Sequence, residues 1–129
     1  MEIKSFRDLM VWQKAMELVE ECYRITTNLP RNEEFGLKSQ MRRAAVSIPS
    51  NIAEGHSRRH SREFLQHLSI SLGSLAEIET QLDLALRLNL LPAEGAQKCR
   101  ALCEEVGKML HGLATAISHR SHRPLIPRP

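Results

Sequence analysis

Apolar residues recur every three or four positions along most of the chain, which is the period of an amphipathic α-helix. Short segments rich in Pro, Gly, Asn and Ser interrupt this pattern. The interruptions predict four helices near residues 7–28, 33–57, 61–89 and 92–118. Because the connections are short, neighbouring helices should run antiparallel. The predicted fold class is therefore all-α, an antiparallel up-down four-helix bundle with a Pro-kinked second helix.

The predicted first helix begins with a capping signal. Ser5 can cap the helix, and Asp8, three residues later, can return a hydrogen bond to the cap. Trp12 falls in the apolar stripe, so we interpret it as a core residue rather than a platform for stacking bases. The stripe that we predict to be buried consists of Phe6, Leu9, Trp12, Met16, Val19 and Tyr23.

The predicted second helix carries a proline inside its own apolar stripe. Pro49 has no N–H to donate to the carbonyl of Ala45, and its ring crowds that carbonyl, so the helix should kink at a cost of roughly 3 kcal/mol. Small residues nearby, Gly55 among them, would let another helix come close. Two interpretations stay open, a tolerated kink in a core helix or a kink that shapes a surface for assembly or binding. The stripe comprises Leu37, Met41, Ala44, Ala45, Ile48 and Ile52.

The predicted third helix, for which Ser61 is the expected N-cap, has two apolar faces. Ile70, Leu84 and Leu88 fall nearly opposite the main stripe at about 100° per residue. Two apolar faces exceed what one small bundle can bury, which indicates a subunit interface. Gly73 is expected to permit a close approach between helices. The main stripe is Leu65, Leu68, Leu72, Leu75, Leu82 and Leu86.

The predicted fourth helix starts after Pro92 and buries two thiols one turn apart, Cys99 and Cys103. Too few further ligands lie near them for a metal site, so buried structural thiols are expected. The apolar pattern stops after Ser118. We therefore predict a four-helix bundle over residues 1–118 and a flexible basic tail over residues 119–129.

Composition narrows the class of protein. Aromatic residues make up only 4% of the 129 residues, and no stretch alternates as a strand would. No uncharged apolar run reaches about 18 residues, which argues against a membrane partner. The N-terminus lacks a secretory signal, and three cysteines are an odd number. These features predict a cytoplasmic protein with reduced thiols.

Positive charge is concentrated in one part of the chain. Residues 31–62 carry a net charge of +4 and residues 119–129 carry +3, whereas residues 63–118 carry −3. Such clustering is expected of a protein that binds a polyanion, although a solvated basic face would look the same. Because no aromatic residues interleave with the cations, contacts with the phosphate backbone are favoured over base reading. The predicted nucleic-acid-binding residues are Arg42, Arg43, Arg58, Arg59 and Arg62.

Catalytic chemistry finds little support in the sequence. It has no Gly-rich phosphate loop, nucleophile elbow or zinc motif, so we predict no enzyme activity, no catalytic residues and no cofactor. His56 and His60 lie four residues apart, but no third metal ligand is evident.

Several blocks carry a family resemblance. The longest runs from Gln40 to Gly55 and contains Arg-Arg-Ala, Ser-Ile and Asn-Ile-Ala-Glu-Gly elements. Together the blocks resemble the four-helix-bundle proteins encoded in intervening sequences of bacterial 23S ribosomal RNA genes, the S23-like family. The other matching blocks are Phe6–Leu9, Val11–Ala15, Glu34–Leu37 and Gly73–Leu82.

The resemblance extends in fold to the accessory proteins of diversity-generating retroelements. Those proteins form pentameric barrels and work with a reverse transcriptase and its RNA. The resemblance therefore implies a homo-oligomer, with a pentamer favoured. Arg43 and Glu54 lie roughly 16 Å apart along a helix, so they could pair only between subunits. The predicted interface consists of Arg43, Pro49, Asn51, Glu54, Ile70, Leu84 and Leu88.

Two classes of function remain at this point. One is an oligomeric accessory protein that binds RNA or DNA through its basic patches. The other is a protein–protein assembly module whose cations only solubilise it, or a retroelement accessory protein that partners a reverse transcriptase. The stretch Ser47–Gly55 has the form of the intervening-sequence branch, which argues against the retroelement role. Salt-dependent binding of nucleic acid would separate the two classes.

Overall fold

A computed structural model describes residues 2–34 and 36–122 of the chain. Four α-helices account for most of these residues, and no strand occurs within the two described ranges. The predicted all-α four-helix fold is confirmed. Two short 3-10 turns, Phe6–Asp8 and Arg31–Glu33, precede the first two helices. The helices are α1 (Met10–Thr26), α2 (Leu37–Arg58), α3 (Ser61–Arg87) and α4 (Ala93–His122).

Each helix packs against two others. Helix α1 contacts α2 and α4, and α3 contacts the same two helices. Residues of α2 meet residues of α3 in reverse order, from Ser47 against Ser74 to Asn51 against His67, so these two helices run in opposite directions. The up-down order of the whole bundle and a kink at Pro49 stay predictions.

The capping signal before the first helix is confirmed, although it caps the 3-10 turn. The Ser5 hydroxyl accepts a hydrogen bond from the Arg7 backbone N–H, and Asp8 accepts one from the Ser5 backbone N–H. Helix α1 itself begins only at Met10.

The predicted buried face of α1 is confirmed only in part. Leu9, Trp12 and Val19 are half-buried and pack against the core, whereas Met16 and Tyr23 are 39% and 41% exposed. A second apolar stripe of α1 is buried more deeply against the other helices. The residues buried on α1 are Val11, Ala15, Leu18, Glu21, Cys22, Ile25 and Thr26.

Helix α2 continues through its proline. Pro49 is buried, and the helix extends without interruption from Leu37 to Arg58. Neighbouring polar side chains bond backbone carbonyls, since Asn51 Nδ2 donates to Ser47 O and Ser71 Oγ donates to Ile48 O. Both of these carbonyls lie between Ala45, whose carbonyl loses its donor, and Pro49.

Gly55 lies in close contact with α3. A β-carbon at this position would lie 2.7 Å from His67 Cβ and 3.0 Å from Phe64 Cδ1. The first distance is shorter than real β-carbon contacts and the second is tight, so a larger residue would require α2 or α3 to shift. The expectation for Gly73 is wrong within this chain, because no atom lies within 4 Å of a β-carbon built there.

The exposed apolar face predicted on α3 is present in the structure. Ile70, Leu84 and Leu88 are 51%, 45% and 60% exposed. The cap of this helix is shifted by one residue, because His60 occupies the N-cap position and Ser61 is the first helical residue. Such shifts are common at helix ends.

Helix α4 extends four residues beyond its predicted end, to His122. The predicted basic tail therefore overlaps the last turn, and its residues 123–129 lie outside the described part of the chain. None of the described helices is long and apolar enough to cross a bilayer.

Candidate nucleic-acid interface

Arg42 is held by the end of α1. Its Nε donates a hydrogen bond of 2.8 Å to Thr26 Oγ1, and its Nη2 donates one of 3.2 Å to the Tyr23 carbonyl. The guanidinium also lies 4.4 Å from the centre of the Tyr23 ring, a cation–π contact. Arg42 therefore ties α2 to α1, which leaves little of its guanidinium for a phosphate.

Arg43 has a different environment, although it is the next residue. Its side chain is exposed and has no hydrogen-bond or ion-pair partner among the described residues. It borders a shallow groove of about 480 Å³ that Tyr23, Lys38 and Arg42 also line. Glu34 also lines the groove and pairs with Lys38 at 3.2 Å, so the net positive charge of the groove comes from Arg42 and Arg43, and of these two only Arg43 lacks partners among the described residues.

Arg58 is partly neutralised by two carboxylates. Its Nη2 lies 3.2 Å from Glu54 Oε1, and its Nε lies 3.9 Å from Glu63 Oε2. All three side chains are about half exposed. Exposed pairs of this kind contribute only about 0–1 kcal/mol each. A phosphate could replace the carboxylates, but it would have to compete with them.

Arg59 and Arg62 carry positive charge at the α2–α3 connection that no carboxylate pairs with among the described residues. Arg59 ends α2 in the left-handed conformation, with φ 62°, and its backbone N–H donates to His56 O. Its side chain and that of Arg62 are exposed, and neither makes an ion pair within the described ranges. A non-glycine residue with positive φ is uncommon and points to a local constraint.

A larger cavity of about 820 Å³ opens beside this connection, at the end of the bundle. The N-terminal segment, the α2–α3 connection and the last turns of α4 form its walls. We call it the bundle-end cavity. Its lining includes the cations Lys4, Arg59 and Arg120 and the imidazoles of His56 and His60, and no carboxylate lines it within the described part of the chain.

Sequence reasoning missed this cavity. Lys4 and Arg120 lie 116 positions apart in the chain, so no local motif joins them. Their positions in the predicted fold could still have indicated it, because Lys4 lies just before the first helix and Arg120 lies near the end of the last helix. In an antiparallel bundle of four helices, those two positions meet at the same end.

The three cysteines are buried, as the sequence predicted for Cys99 and Cys103, and they form a cluster between α1 and α4. Cys22 Sγ and Cys99 Sγ are 4.0 Å apart, and all three thiols are free. The hydrogen bond to Cys99, followed by burial, raises the pKa of Cys22, and the same two causes raise the pKa of Cys103. Hydrogen bonds from Cys103 and Cys22 lower the pKa of Cys99 to about 4, so Cys22 and Cys103 stay protonated at neutral pH and donate to the Cys99 sulfur.

The sequence profile of the 23S rRNA-intervening sequence protein family matches residues 7–112, which is more than half of the chain. The chain belongs to this family. A similar solved structure is the crystal structure of a protein of unknown function from the S23 ribosomal protein family of Bacteroides thetaiotaomicron. It shares 25% sequence identity and a TM-score of 0.73, covering 81% of this chain and 98% of that one. No curated protein matches the chain.

In this member of the family, residues of the predicted subunit interface have different environments within the single chain. Pro49 is buried and lines an apolar groove between α1 and α2 that Trp12 and Val46 also border. Asn51 is half-buried, and its Oδ1 lies 2.9 Å from His67 Nδ1. Glu54 pairs with Arg58, whereas Arg43 is unpaired among the residues described. The chain itself therefore already engages Pro49, Asn51 and Glu54.

Proposed function

We propose that this protein is a non-enzymatic, oligomeric nucleic-acid-binding protein that contacts the phosphate backbone. The observation that carries the proposal is the set of three exposed arginines without partners in the described ranges, Arg43, Arg59 and Arg62. All three belong to the segment with a net charge of +4. Membership of a family named after a ribosomal RNA intervening sequence agrees with a nucleic-acid context.

The chemistry of these residues suits phosphate. A guanidinium presents a planar fork of N–H donors that can bond two phosphate oxygens at once. Arg62 lies in the first turn of α3, where the backbone N–H groups and the helix dipole also favour an anion. The exposed Tyr23 shares the groove of Arg43, but its ring already carries the Arg42 guanidinium, so we expect little preference for base sequence there.

Self-association would strengthen a weak patch. The exposed side chains of Ile70, Leu84 and Leu88 provide an apolar face on α3 that a second copy could cover. Each added subunit would repeat the three arginines, so that one strand could contact several patches at once. We propose a homo-oligomer on this basis, and the family resemblance favours a pentamer.

The proposal is tested by binding of fluorescently labelled RNA and DNA strands at low salt. Wild type should bind strands of unrelated sequence with similar affinities, and an Arg43→Ala/Arg59→Ala/Arg62→Ala variant should bind all of them more weakly. The matched control is Arg87→Ala/Lys98→Ala/Lys108→Ala, which removes the same charge from exposed positions on α3 and α4. Equal losses in the two variants would mean that only net charge matters.

A protein–protein assembly module is the second candidate, and the exposed α3 face favours it. The assembly-module hypothesis predicts self-association without nucleic-acid binding. Light scattering at micromolar concentration, combined with the binding assay, separates the two. A stable monomer would rule out the oligomer in both.

A further inference from the structure

The bundle-end cavity combines a basic rim with an apolar floor. Its rim carries the permanent cations Lys4, Arg59 and Arg120. The floor is formed by side chains such as Phe64 and Ile117, and Ile117 is buried. A surface that only solvates charge has no need of an apolar floor. The combination therefore indicates a ligand with an anionic part and a flat apolar part.

The rim is held in place by backbone contacts. Asp8 Oδ2 accepts hydrogen bonds from the backbone N–H groups of Lys4 at 2.8 Å and of Ser5 at 3.0 Å, which fixes the N-terminal segment over the cavity. The carboxylate of Asp8 is thus occupied and does not line the cavity. Arg59, on the opposite wall, is fixed by its left-handed backbone conformation. The backbone segments that carry Lys4 and Arg59 are thus positioned before any ligand arrives, which lowers the entropy lost on binding.

The floor presents aromatic rings. His56 and Phe64 pack edge to face, with ring centres 5.8 Å apart, and both line the cavity. Aromatic faces stack well on nucleobases, and they do so with little regard for base identity. Hydroxyl groups of Ser5 and Ser61 also line the cavity and could bond a sugar. The volume of about 820 Å³ falls within the range of about 300–1,000 Å³ that small-molecule sites occupy.

From this geometry we propose that the bundle-end cavity binds one nucleoside monophosphate unit, with its phosphate against Lys4, Arg59 and Arg120 and its base on the aromatic floor. The unit is either a free nucleotide or the 5′-phosphorylated end of a strand, and both present the same chemistry. In the second case the inference deepens the proposed function, on which it then rests. The cavity would hold the end of a strand while Arg43 and Arg62 contact its backbone.

The test uses adenosine 5′-monophosphate, adenosine and inorganic phosphate as separate probes in calorimetric titrations of the full chain. The monophosphate should bind more tightly than either part alone. A Lys4→Gln/Arg120→Gln variant should bind it at least about tenfold more weakly, since each lost charge-assisted contact is worth about that factor. The charge-matched control Arg87→Gln/Lys98→Gln should bind it as wild type does. Both changes in each variant are at exposed positions, and thermal unfolding should verify the fold.

A second variant tests the cavity without changing charge. Ser57 lines the cavity with an exposed side chain, whose hydroxyl donates only to the Ala53 carbonyl one turn back. Ser57→Trp should fill part of the space and weaken binding of the monophosphate. Shifts in the NMR signals of His56 and Phe64 on titration should place the ligand on the floor.

Two RNA strands of the same sequence, one with and one without a 5′-phosphate, distinguish a strand end from a free nucleotide as the ligand of the cavity. Tighter binding of the phosphorylated strand assigns the cavity to a strand end. Binding of the monophosphate without competition from either strand assigns it to a free nucleotide.

Two results would overturn the inference. One is that the monophosphate fails to bind at millimolar concentration. The other is that phosphate alone binds as well as the monophosphate does. Backbone binding through Arg43 and Arg62 would survive either result, because Lys4 and Arg120 take no part in it. Failure of the cavity and failure of the proposed function are therefore separable.

Discussion

The inward and outward side chains of α2 serve different purposes, although they alternate along one helix. Inward residues such as Asn51 and Gly55 are fitted to α3 by a hydrogen bond and by a close approach. Outward Arg43, and Arg59 at the C-terminus of the helix, have exposed side chains without partners in the described structure. The difference teaches that the residues of α2 and its C-terminus divide into two groups. One group packs against α3, and the other is exposed to solvent.

The largest expected effect is that of an added methyl group at Gly55. Gly55→Ala should destabilise the fold by about 1–3 kcal/mol, because the new β-carbon overlaps the α3 side chains. Gly73→Ala is the matched control, since it adds the same atom to an exposed helical glycine with nothing near it. That change should stabilise by about 0.5–1 kcal/mol through helix propensity. Urea denaturation of both variants measures the difference, and equal effects would contradict the close approach.

Removing the Asn51–His67 hydrogen bond between α2 and α3 should have the next largest effect. Asn51→Ala leaves His67 Nδ1 without its partner and removes one of the partners of Ser47, at a cost of about 1–2 kcal/mol. Ser50→Ala, at the exposed neighbouring position, should stay within about 0.5 kcal/mol of wild type. A double-mutant cycle with His67→Ala isolates the pair. A coupling energy near zero would show that the bond contributes nothing to stability.

The two adjacent arginines, Arg42 and Arg43, should separate stability from binding. Arg42→Ala loses the Tyr23 and Thr26 contacts, which should lower the free energy of unfolding by about 1 kcal/mol with little change in the salt dependence of RNA binding. Arg43→Ala should leave stability within about 0.5 kcal/mol and weaken binding. Denaturation and binding assays on both variants decide this. The reverse pattern would move the proposed contact from Arg43 to Arg42.

The smallest expected effect concerns a buried acceptor on α3. Gln81 is 7% exposed, and its Oε1 has no hydrogen-bond partner among the described residues. Gln81→Met keeps the shape of the side chain and removes the unsatisfied atom, so it should stabilise by up to about 1 kcal/mol. A rise in the melting temperature checks the sign. A fall would mean that the amide makes a bond in the assembled protein.

The fold was predictable because its signal is long and repeated. Four stretches of helical period and short connections suffice for an all-α bundle, and the thiols at Cys99 and Cys103 fall on a core stripe. The buried face of α1 was not predictable, because the Trp12 and Leu18 stripes are similarly apolar and only packing selects between them. Gly73 and Gly55 likewise look alike in the sequence, while their neighbours in space differ.

The positive charge of the candidate site was predictable from the sequence, but most of the residues that contact its arginines were not. The basic segment was visible from composition, but Arg42 is held by Tyr23, nineteen residues away. Arg58 illustrates the local case, since Glu54 lies one helical turn before it and could have been anticipated as its partner. Lys4 and Arg120 come together only through the fold.

The most direct test of the central claim is the salt dependence of RNA binding for wild type and for the Arg43→Ala/Arg59→Ala/Arg62→Ala variant. Each phosphate contact contributes a slope of about −0.7 to −0.9 to the plot of log affinity against log salt concentration. The account predicts that the variant is shallower than wild type by about that amount for each arginine lost, and that Arg58→Ala changes the slope less than any one of the three does. An unchanged slope in the triple variant, or no binding by wild type at low salt, would contradict it.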